Sequence, residues 1–334
     1  MTAVLFTCAG QRVDVVTAFA RAGAYTVAAD ANPLAPAIYH ADAHAIVPRI
    51  DDPGYLHALR ELIRAHDVRL IVPLTDLDQL LLAERRDELD AVVLLPDAEV
   101  VRRTADKYLA HLFFEERGIP SPPSWLPGEL PDGLEFPVLV KARFGFGSRD
   151  IYRAGDAGGL DFFLGYSRAD SFVQKVCPGE EFSIDVFCDL DGRCLNSIPR
   201  TMIESKGGES IKGMTIKDAE LIEFGRLVAE ELGIRGPANV QCFRVAPGRH
   251  EVTDVNPRFG GAFPLPRAAG SRYPELALAL ARGERPEPRL GEFREGVVMT
   301  RFFSHLSLTA DGDGRLEPFA EELPEPVAGE PAEA

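Results

Sequence analysis

Glu251-Val252-Thr253-Asp254-Val255-Asn256-Pro257-Arg258-Phe259-Gly260-Gly261 reads as a strand that ends in a fixed turn. Along a strand the side chains at i and i+2 share a face, so Asp254 and Asn256 point the same way. Ala238-Asn239-Val240-Gln241-Cys242-Phe243 reads as the neighbouring strand and lets Gln241 join them. Asp, Asn and Gln offer oxygen alone. That suits Mg²⁺, which keeps several waters and takes few protein ligands beside substrate phosphates. Arg258, fixed behind Pro257, is placed to offset charge on a transferring phosphoryl group. The plainer reading is a polar strand end with a capping Asp. Under either reading, two same-face polar residues on a Val-rich strand need a partner.

Two upstream segments carry related chemistry. Phe136-Pro137-Val138-Leu139-Val140-Lys141 ends a buried apolar strand in a lysine, and Ala142-Arg143-Phe144-Gly145-Phe146-Gly147-Ser148-Arg149 follows as a glycine-rich turn. An unpaired ammonium at such a strand end is costly. Close backbone N–H groups beside a point charge suit a polyphosphate. The segment lacks the G-x-x-x-x-G-K-[ST] pattern of a P-loop, and the plainer reading is a hairpin turn. In Val173-Gln174-Lys175-Val176-Cys177-Pro178-Gly179-Glu180-Glu181-Phe182 a strand breaks at Pro-Gly and restarts. Such a hinge exposes backbone N–H and C=O to a purine edge, and Glu181 is placed to accept two ribose hydroxyls. An ordinary hairpin with a surface Glu pair is the alternative.

Composition narrows the function classes. The 334 residues allow two or three compact units. Lys plus Arg is 36 against 52 for Asp plus Glu, a net charge of -16, which argues against a nucleic-acid binder because a phosphate backbone needs a basic face. No stretch approaches the roughly 20 apolar residues of a membrane span. Met1-Thr2-Ala3-Val4-Leu5-Phe6 reads as a first strand rather than a signal peptide. The five cysteines (Cys8, Cys177, Cys188, Cys194 and Cys242) contain no C-x-x-C pair, so neither a disulfide framework nor structural zinc is expected. A cytoplasmic location fits. His40 and His44 have the i, i+4 spacing of metal ligands but stand in a poor helix context, and read as polar positions near a turn.

The first hundred residues alternate strand and helix signals: strands at Val4–Thr7, Tyr25–Ala29, Leu70–Pro73 and Ala91–Leu95, helices at Arg12–Ala22, Tyr55–Ala65 and Leu77–Leu89. Alternation of this kind predicts a doubly wound parallel sheet. Asp97 is the expected N-cap of the next helix, and Lys107–Glu116 continues helical to Gly118. Eight Pro and Gly residues between Ile119 and Pro137 mark the expected domain boundary. Beyond it, alternating strands and the amphipathic helix Asp218–Leu232 predict an α+β region with mostly antiparallel pairing.

Lys141 with its glycine-rich loop, the Gln-Lys-x-x-x-Gly-x-Glu hinge, the N-x-Q strand and the D-x-N-P-R strand follow one another in order. This order resembles the ATP-grasp superfamily, and within it the stand-alone proteins similar to the large subunit of carbamoyl phosphate synthase. Thr7-Cys8-Ala9-Gly10-Gln11-Arg12, Asp30 and Ile71-Val72-Pro73-Leu74-Thr75-Asp76 look like that family's pre-ATP-grasp domain, and Asp106-Lys107 like its Asp-Lys helix. Arg200 to Gly213, with Glu204, Lys206, Glu209 and Lys212, resembles the loop crossing the acceptor site. The resemblance implies a pre-ATP-grasp α/β domain over 1–98 and connecting helices over 99–122. A small lid subdomain over 123–172 and the C-terminal ATP-grasp subdomain over 173–316 follow; the acidic, Pro/Ala-rich composition of 317–334 reads as a disordered tail.

Carried over position by position, Lys107 and Lys141 contact phosphates, and Gly145, Gly147 and Ser148 close over them. Gln174, Lys175 and the Cys177 backbone hold adenine, and Glu181 the ribose. Gln241, Asp254 and Asn256 hold Mg²⁺, with Mn²⁺ as the alternative ion, while Arg258 and Lys141 serve the transfer step. Gln174 stands where many relatives have Glu, and Asp254 replaces the commoner Glu. One ATP-grasp unit is present where the synthetase has two, and no glutaminase segment is, so carbamoyl phosphate synthesis itself is not the expectation. The implied function is an ATP-dependent ligase that activates a carboxylate as an acyl phosphate, with ADP formed, for attack by an amine. A kinase using the same nucleotide site is the alternative. The implied partners are a small-molecule carboxylate and an amine, with no nucleic acid and no membrane; the oligomeric state is left open, with a homodimer as the candidate because sheet domains of this type commonly pair. The basic residues of the crossing loop and Arg200 point to an anionic substrate.

Overall fold

The computed structural model describes residues 1–145, 150–206, 209–302, 304–312 and 314–319. Short apolar runs separated by amphipathic helices build the N-terminal layer as the alternation predicts. Its elements are β1 (Ala3–Thr7), α1 (Val13–Arg21), β2 (Tyr25–Asp30), β3 (Ala43–Ile46), α2 (Tyr55–His66), β4 (Val68–Pro73), α3 (Gln79–Glu84) and β5 (Val92–Val93). The strands are all parallel in the order β3-β2-β1-β4-β5. Both faces are covered, one by Val15, Val16 and Phe19 of α1, the other by Leu59 and Ile63 of α2 with Leu82 of α3. The strand order reverses between β1 and β4, and the crevice beyond the carboxyl ends of such strands is where ligands bind in open α/β sheets.

Local expectations fail where side chains find distant partners. α3 covers less than the helix expected over Leu77–Leu89, because Arg86 leaves it to donate to the carbonyls of Leu95 and Pro96, each at 2.7 Å. Asp97 precedes α4 (Ala98–Ala105) in extended conformation but makes no capping bond, and instead accepts from Arg235 at 2.7 Å. Before α2, residues 36–40 form a single 3₁₀ turn. His40 bonds the Pro36 carbonyl there and His44 lies on β3, so the two do not share a helix face.

Two antiparallel sheets follow α5 (Lys107–Glu116). β6 (Ser124–Trp125), β7 (Val138–Ala142), β8 (Ile151–Ala154) and β9 (Ser171–Lys175) pair in the order β6-β9-β7-β8, with α6 (Ala157–Tyr166) against one face through Leu160. β10 (Glu180–Cys188), β11 (Cys194–Thr201), β14 (Gly236–Ala246) and β15 (Arg249–Asn256) form the larger sheet, β11-β10-β14-β15. Between β11 and β14 lie β12 (Glu204–Lys206), β13 (Glu209–Met214) and α7 (Ala219–Leu232). α7 is capped by Asp218, whose carboxylate accepts from the Glu220 and Leu221 amides. Its buried face packs Leu221, Val228 and Leu232 on Ile184, Val186 and Val240.

The segment expected as a crossing loop over 200–213 is strand-forming. Its β12 and β13 pair antiparallel, and β13 pairs in turn with β16 (Val298–Thr300) after the helices α8 (Pro264–Ala268) and α9 (Tyr273–Ala281). All of these elements belong to one compact unit, Met1–Arg301. The second unit, from Phe302 on, contains a hairpin of β17 (Leu308–Ala310) and β18 (Leu316–Pro318). The expected disordered tail lies, from residue 320 on, outside the described residues. Among the described residues no helix is long and apolar enough to cross a membrane.

Candidate active site

Register brings the oxygen-bearing side chains together. β14 and β15 pair Gln241 with Asp254 and Asn239 with Asn256. Asp254 is partly buried, and both of its oxygens are engaged: Oδ1 accepts from Lys107 Nζ at 3.0 Å and Oδ2 from the Asn256 amide at 3.1 Å. Burial alone pushes the Asp254 carboxyl up, but Lys107, Asn256 and Lys141 outweigh it and hold the group below its ordinary value. Lys107 reaches this point because it opens α5. The Asp106 carboxylate caps that helix, accepting from the Tyr108 and Leu109 amides at 3.0 and 3.3 Å. Asp106 is almost wholly buried and also accepts from Arg143 Nε at 3.1 Å, while the Lys107 amide donates to the Arg143 carbonyl at 2.9 Å. One aspartate therefore caps the helix and fixes the root of the glycine-rich turn beside it.

Lys141, on β7, turns inward and donates to Gln174 Oε1 at 2.7 Å. Burial lowers its pKa against the pull of Asp254, and Lys107 lowers it further. The hinge after β9 needs its glycine. Gly179 has φ +105°, and a Cβ there would stand 2.1 Å from the Arg244 carbonyl oxygen. Glu181 follows on β10, where burial raises its pKa in spite of Lys141 and Arg200. Cys177 donates to Glu251 at 3.5 Å, and burial pushes its thiol up to about 12, so it is no nucleophile at neutral pH.

Lys107, Lys141, Gly145, Gln174, Lys175, Cys177, Glu181, Gln241 and Asp254 line one cavity of about 300 Å³. Gly147 and Ser148 lie outside the described residues. Asn256 and Arg258 stand behind the wall. Arg258 donates to Asn256 Oδ1 at 3.2 Å and to Asp76, beyond β4, at 3.2 Å. The sequence reading missed the apolar walls, Leu139, Ile151, Val176 and Phe243; three lie on strands and Val176 just after β9, and they carry the same pattern as any core position. It also missed how the N-terminal layer grips this turn. Arg12 donates to the carbonyls of Phe259 and Gly260 at 2.8 and 3.0 Å, and Gln79 to that of Pro257 at 3.1 Å. Arg200, expected to meet an anionic substrate, is buried against Asp185 at 2.8 Å. A larger cavity of about 550 Å³ lies against α9, but its Arg282 and Arg289 are paired with Glu284 and Glu292. The residues singled out in the sequence gather at the smaller one.

Among the described residues no group of three or more His, Cys, Asp or Glu side chains is placed to hold a metal. The donor types here are one carboxylate and the amides of Gln241 and Asn256, although as placed Asp254 accepts from Lys107 and Asn256, and Asn256 Oδ1 accepts from Arg258. That chemistry fits a hard divalent cation drawing the rest of its shell from phosphates and water, and Lys107 already places a positive charge on Asp254.

Known proteins share this fold. Residues 4–94 match the family described as PylC-like, N-terminal domain, and residues 167–302 match the one described as ATP-grasp in the biosynthetic pathway with Ter operon. The biotin carboxylase domain of the Hydrogenobacter thermophilus 2-oxoglutarate carboxylase, solved with MgADP, ADP and bicarbonate, superposes with a TM-score of 0.72 at 18% identity over 89% of this chain and 73% of that one. The fold is that of ATP-grasp proteins, and residues 167–302 match an ATP-grasp family. Within that class the chain is similar to the carbamoyl phosphate synthase large chain of Methanosarcina mazei, 23% identical over 60% of this chain and 20% of the relative. The carbamoyl-phosphate synthase of Methanobrevibacter smithii is 30% identical over 42% and 40%. The match thus spans less than half the length of either relative.

Proposed function

We propose that this protein is an ATP-dependent ligase that joins a small-molecule carboxylate to an amine. The observation that carries this reading is the convergence of Lys107, Lys141, Glu181 and Asp254 on one cavity, continued through Asn256 to Arg258. The apolar walls accept the purine beside the hinge at Lys175 to Cys177, and Glu181 accepts the ribose hydroxyls. Lys107 and Lys141 bind the phosphates, and Asp254, Asn256 and Gln241 hold Mg²⁺. When bound, the ion neutralises phosphate oxygens as a Lewis acid. A carboxylate oxygen attacks the γ-phosphorus, the bond to the β–γ bridging oxygen breaks, and ADP leaves. The amine then attacks the acyl carbon, phosphate departs with that oxygen, and the surplus proton passes to solvent. Arg258 and Lys141 offset the charge growing on the transferring oxygens. The segment 123–172 acts as the lid that keeps water from the acyl phosphate.

The test is isotopic. A carboxylate substrate labelled with ¹⁸O, found by screening amino and keto acids for dependent ADP release, delivers label into inorganic phosphate. Unlabelled phosphate rules the acyl-phosphate route out, and a stable phosphorylated product supports a kinase. AMP with pyrophosphate contradicts the placement of the triphosphate.

A further inference from the structure

Gln174 sits in the middle of a directed chain of hydrogen bonds. Lys141 has only protons to give, so its ammonium donates to the Gln174 carbonyl oxygen Oε1 at 2.7 Å. The amide nitrogen Nε2 then faces the other way and donates to Ser124 Oγ at 3.0 Å. The Ser124 hydroxyl in turn donates to the Pro122 carbonyl at 2.9 Å. Ser124 is 7% exposed and Gln174 3%, so water is poorly placed to replace either partner. The strands enforce the alignment: Ser124 pairs with Gln174 across β6 and β9, and Gln174 pairs with Leu139, two residues before Lys141 on the same face of β7. Ser124 itself does not line the nucleotide cavity.

We propose that Ser124 is a positioning residue for Lys141, fixing which end of the Gln174 amide faces the cavity and so holding the ammonium in place for phosphate. The proposal rests on reading that cavity as a nucleotide site. If Ser124 is removed, a buried N–H loses its acceptor, and a flipped amide sets its own donors against the ammonium. The neutral amide matters as much as its direction. It accepts a bond without cancelling the lysine charge, whereas a carboxylate at this position does both. The other groups facing Lys141 are Asp254 from β15, Lys107 from α5, Cys177 from the turn after β9 and Glu181 from β10. Among these, Asp254 is already engaged by Lys107.

The test is calorimetric titration of the full chain with MgADP from neutral pH upward. Wild type binds, and its affinity falls as Lys141 loses its proton. Ser124→Ala and Ser124→Cys, the second keeping the shape without a strong acceptor, weaken binding about three- to tenfold. Both move the alkaline limb to lower pH, because the ammonium has lost a fixed acceptor. Ser124→Thr, which keeps the hydroxyl, restores both. Gln174→Glu moves the limb the opposite way. Weakened binding with an unmoved limb assigns Ser124 a structural role only and overturns the proposal, as does unchanged affinity in the Ala and Cys variants. If Ser124→Ala and Ser124→Cys do not fold, as judged by unfolding curves without nucleotide, an unmoved limb in Gln174→Glu overturns it instead. Wild type that fails to bind MgADP overturns the nucleotide site itself, before any variant is compared.

Discussion

Lys107 Nζ lies 3.0 Å from Asp254 Oδ1 and ties the first residue of α5 to the far end of β15. The two side chains are 17% and 18% exposed, so the pair is only weakly screened. Asp254 is held below its ordinary value in the folded state, and that contribution to stability is present above about pH 4, the unfolded value. It is lost as the pH falls through the folded one. In Lys107→Met the main opposing charge is gone and burial raises the carboxyl. The acid-unfolding midpoint, followed by circular dichroism, therefore moves to higher pH. An unmoved midpoint means that the pair does not govern Asp254.

Asp254 bears the one carboxylate among the proposed metal ligands. Asp254→Asn keeps the shape and removes the charge, so turnover requires a higher Mg²⁺ concentration. Asn256→Ala leaves the fold nearly intact and abolishes turnover. The same Mg²⁺ dependence in wild type and both variants returns these residues to strand-end structure.

Mg·ATP stabilises the protein by RT ln(1 + [L]/Kd), about 2.7 kcal/mol at a hundredfold excess over Kd. Lys141→Ala removes most of that gain, since a cation facing the phosphates is deleted. Thermal unfolding with and without nucleotide reads the effect directly. Equal shifts in wild type and variant exclude a phosphate role for Lys141.

Arg258 is oriented by Asp76 on one side and Asn256 on the other. Arg258→Ala slows turnover strongly while leaving ATP affinity closer to wild type, because its charge is needed most as the transferring oxygens become more negative. Asp76→Ala, which only loosens the guanidinium, gives a weaker version of the same split. Steady-state kinetics beside direct ATP binding measures both. A loss confined to ATP affinity places Arg258 on the ground-state nucleotide instead.

Asp78 is wholly buried, with the Tyr55 hydroxyl donating to Oδ2 at 2.7 Å. Burial raises its pKa despite its hydrogen bonds. Its contribution to stability is therefore full below about pH 4 and is lost as the pH rises towards the folded value. Asp78→Asn does not titrate, so the variant gains on wild type through that window. Urea unfolding at a series of pH values gives the comparison, and parallel curves exclude a titrating Asp78.

The site was legible where its residues follow one another closely. Lys141 with its turn, the Gln174 to Glu181 hinge and the Asp254 to Arg258 strand each announce unusual polar groups on apolar strands, and the cavity gathers most of them. The parallel first layer and the antiparallel second one were equally readable from apolar periodicity. β11 was not. Its Asn196, Ser197, Pro199 and Arg200 look like loop, yet an edge strand tolerates proline where the missing N–H owes no ladder bond, and the Pro199 carbonyl accepts from the Ile216 amide instead. Its Arg200 finds a partner on the neighbouring strand, Asp185 of β10. Arg86 cutting α3 short and Asp97 turning from its cap to Arg235 fail for the same reason: their partners are set by tertiary approach.

The hold of Arg12 on the Phe259 and Gly260 carbonyls joins positions 247 and 248 residues apart. A chain growing from the ribosome at about 5–20 residues per second therefore exposes Arg12 many seconds before its acceptors exist. Lys141 and Glu181 also emerge ahead of Asp254 and Arg258. While it is being made, the polypeptide carries Lys141 and Glu181 with no Asp254 or Arg258 beside them, so under the proposed function nascent chains stay silent towards ATP until Gly260 has cleared the exit tunnel.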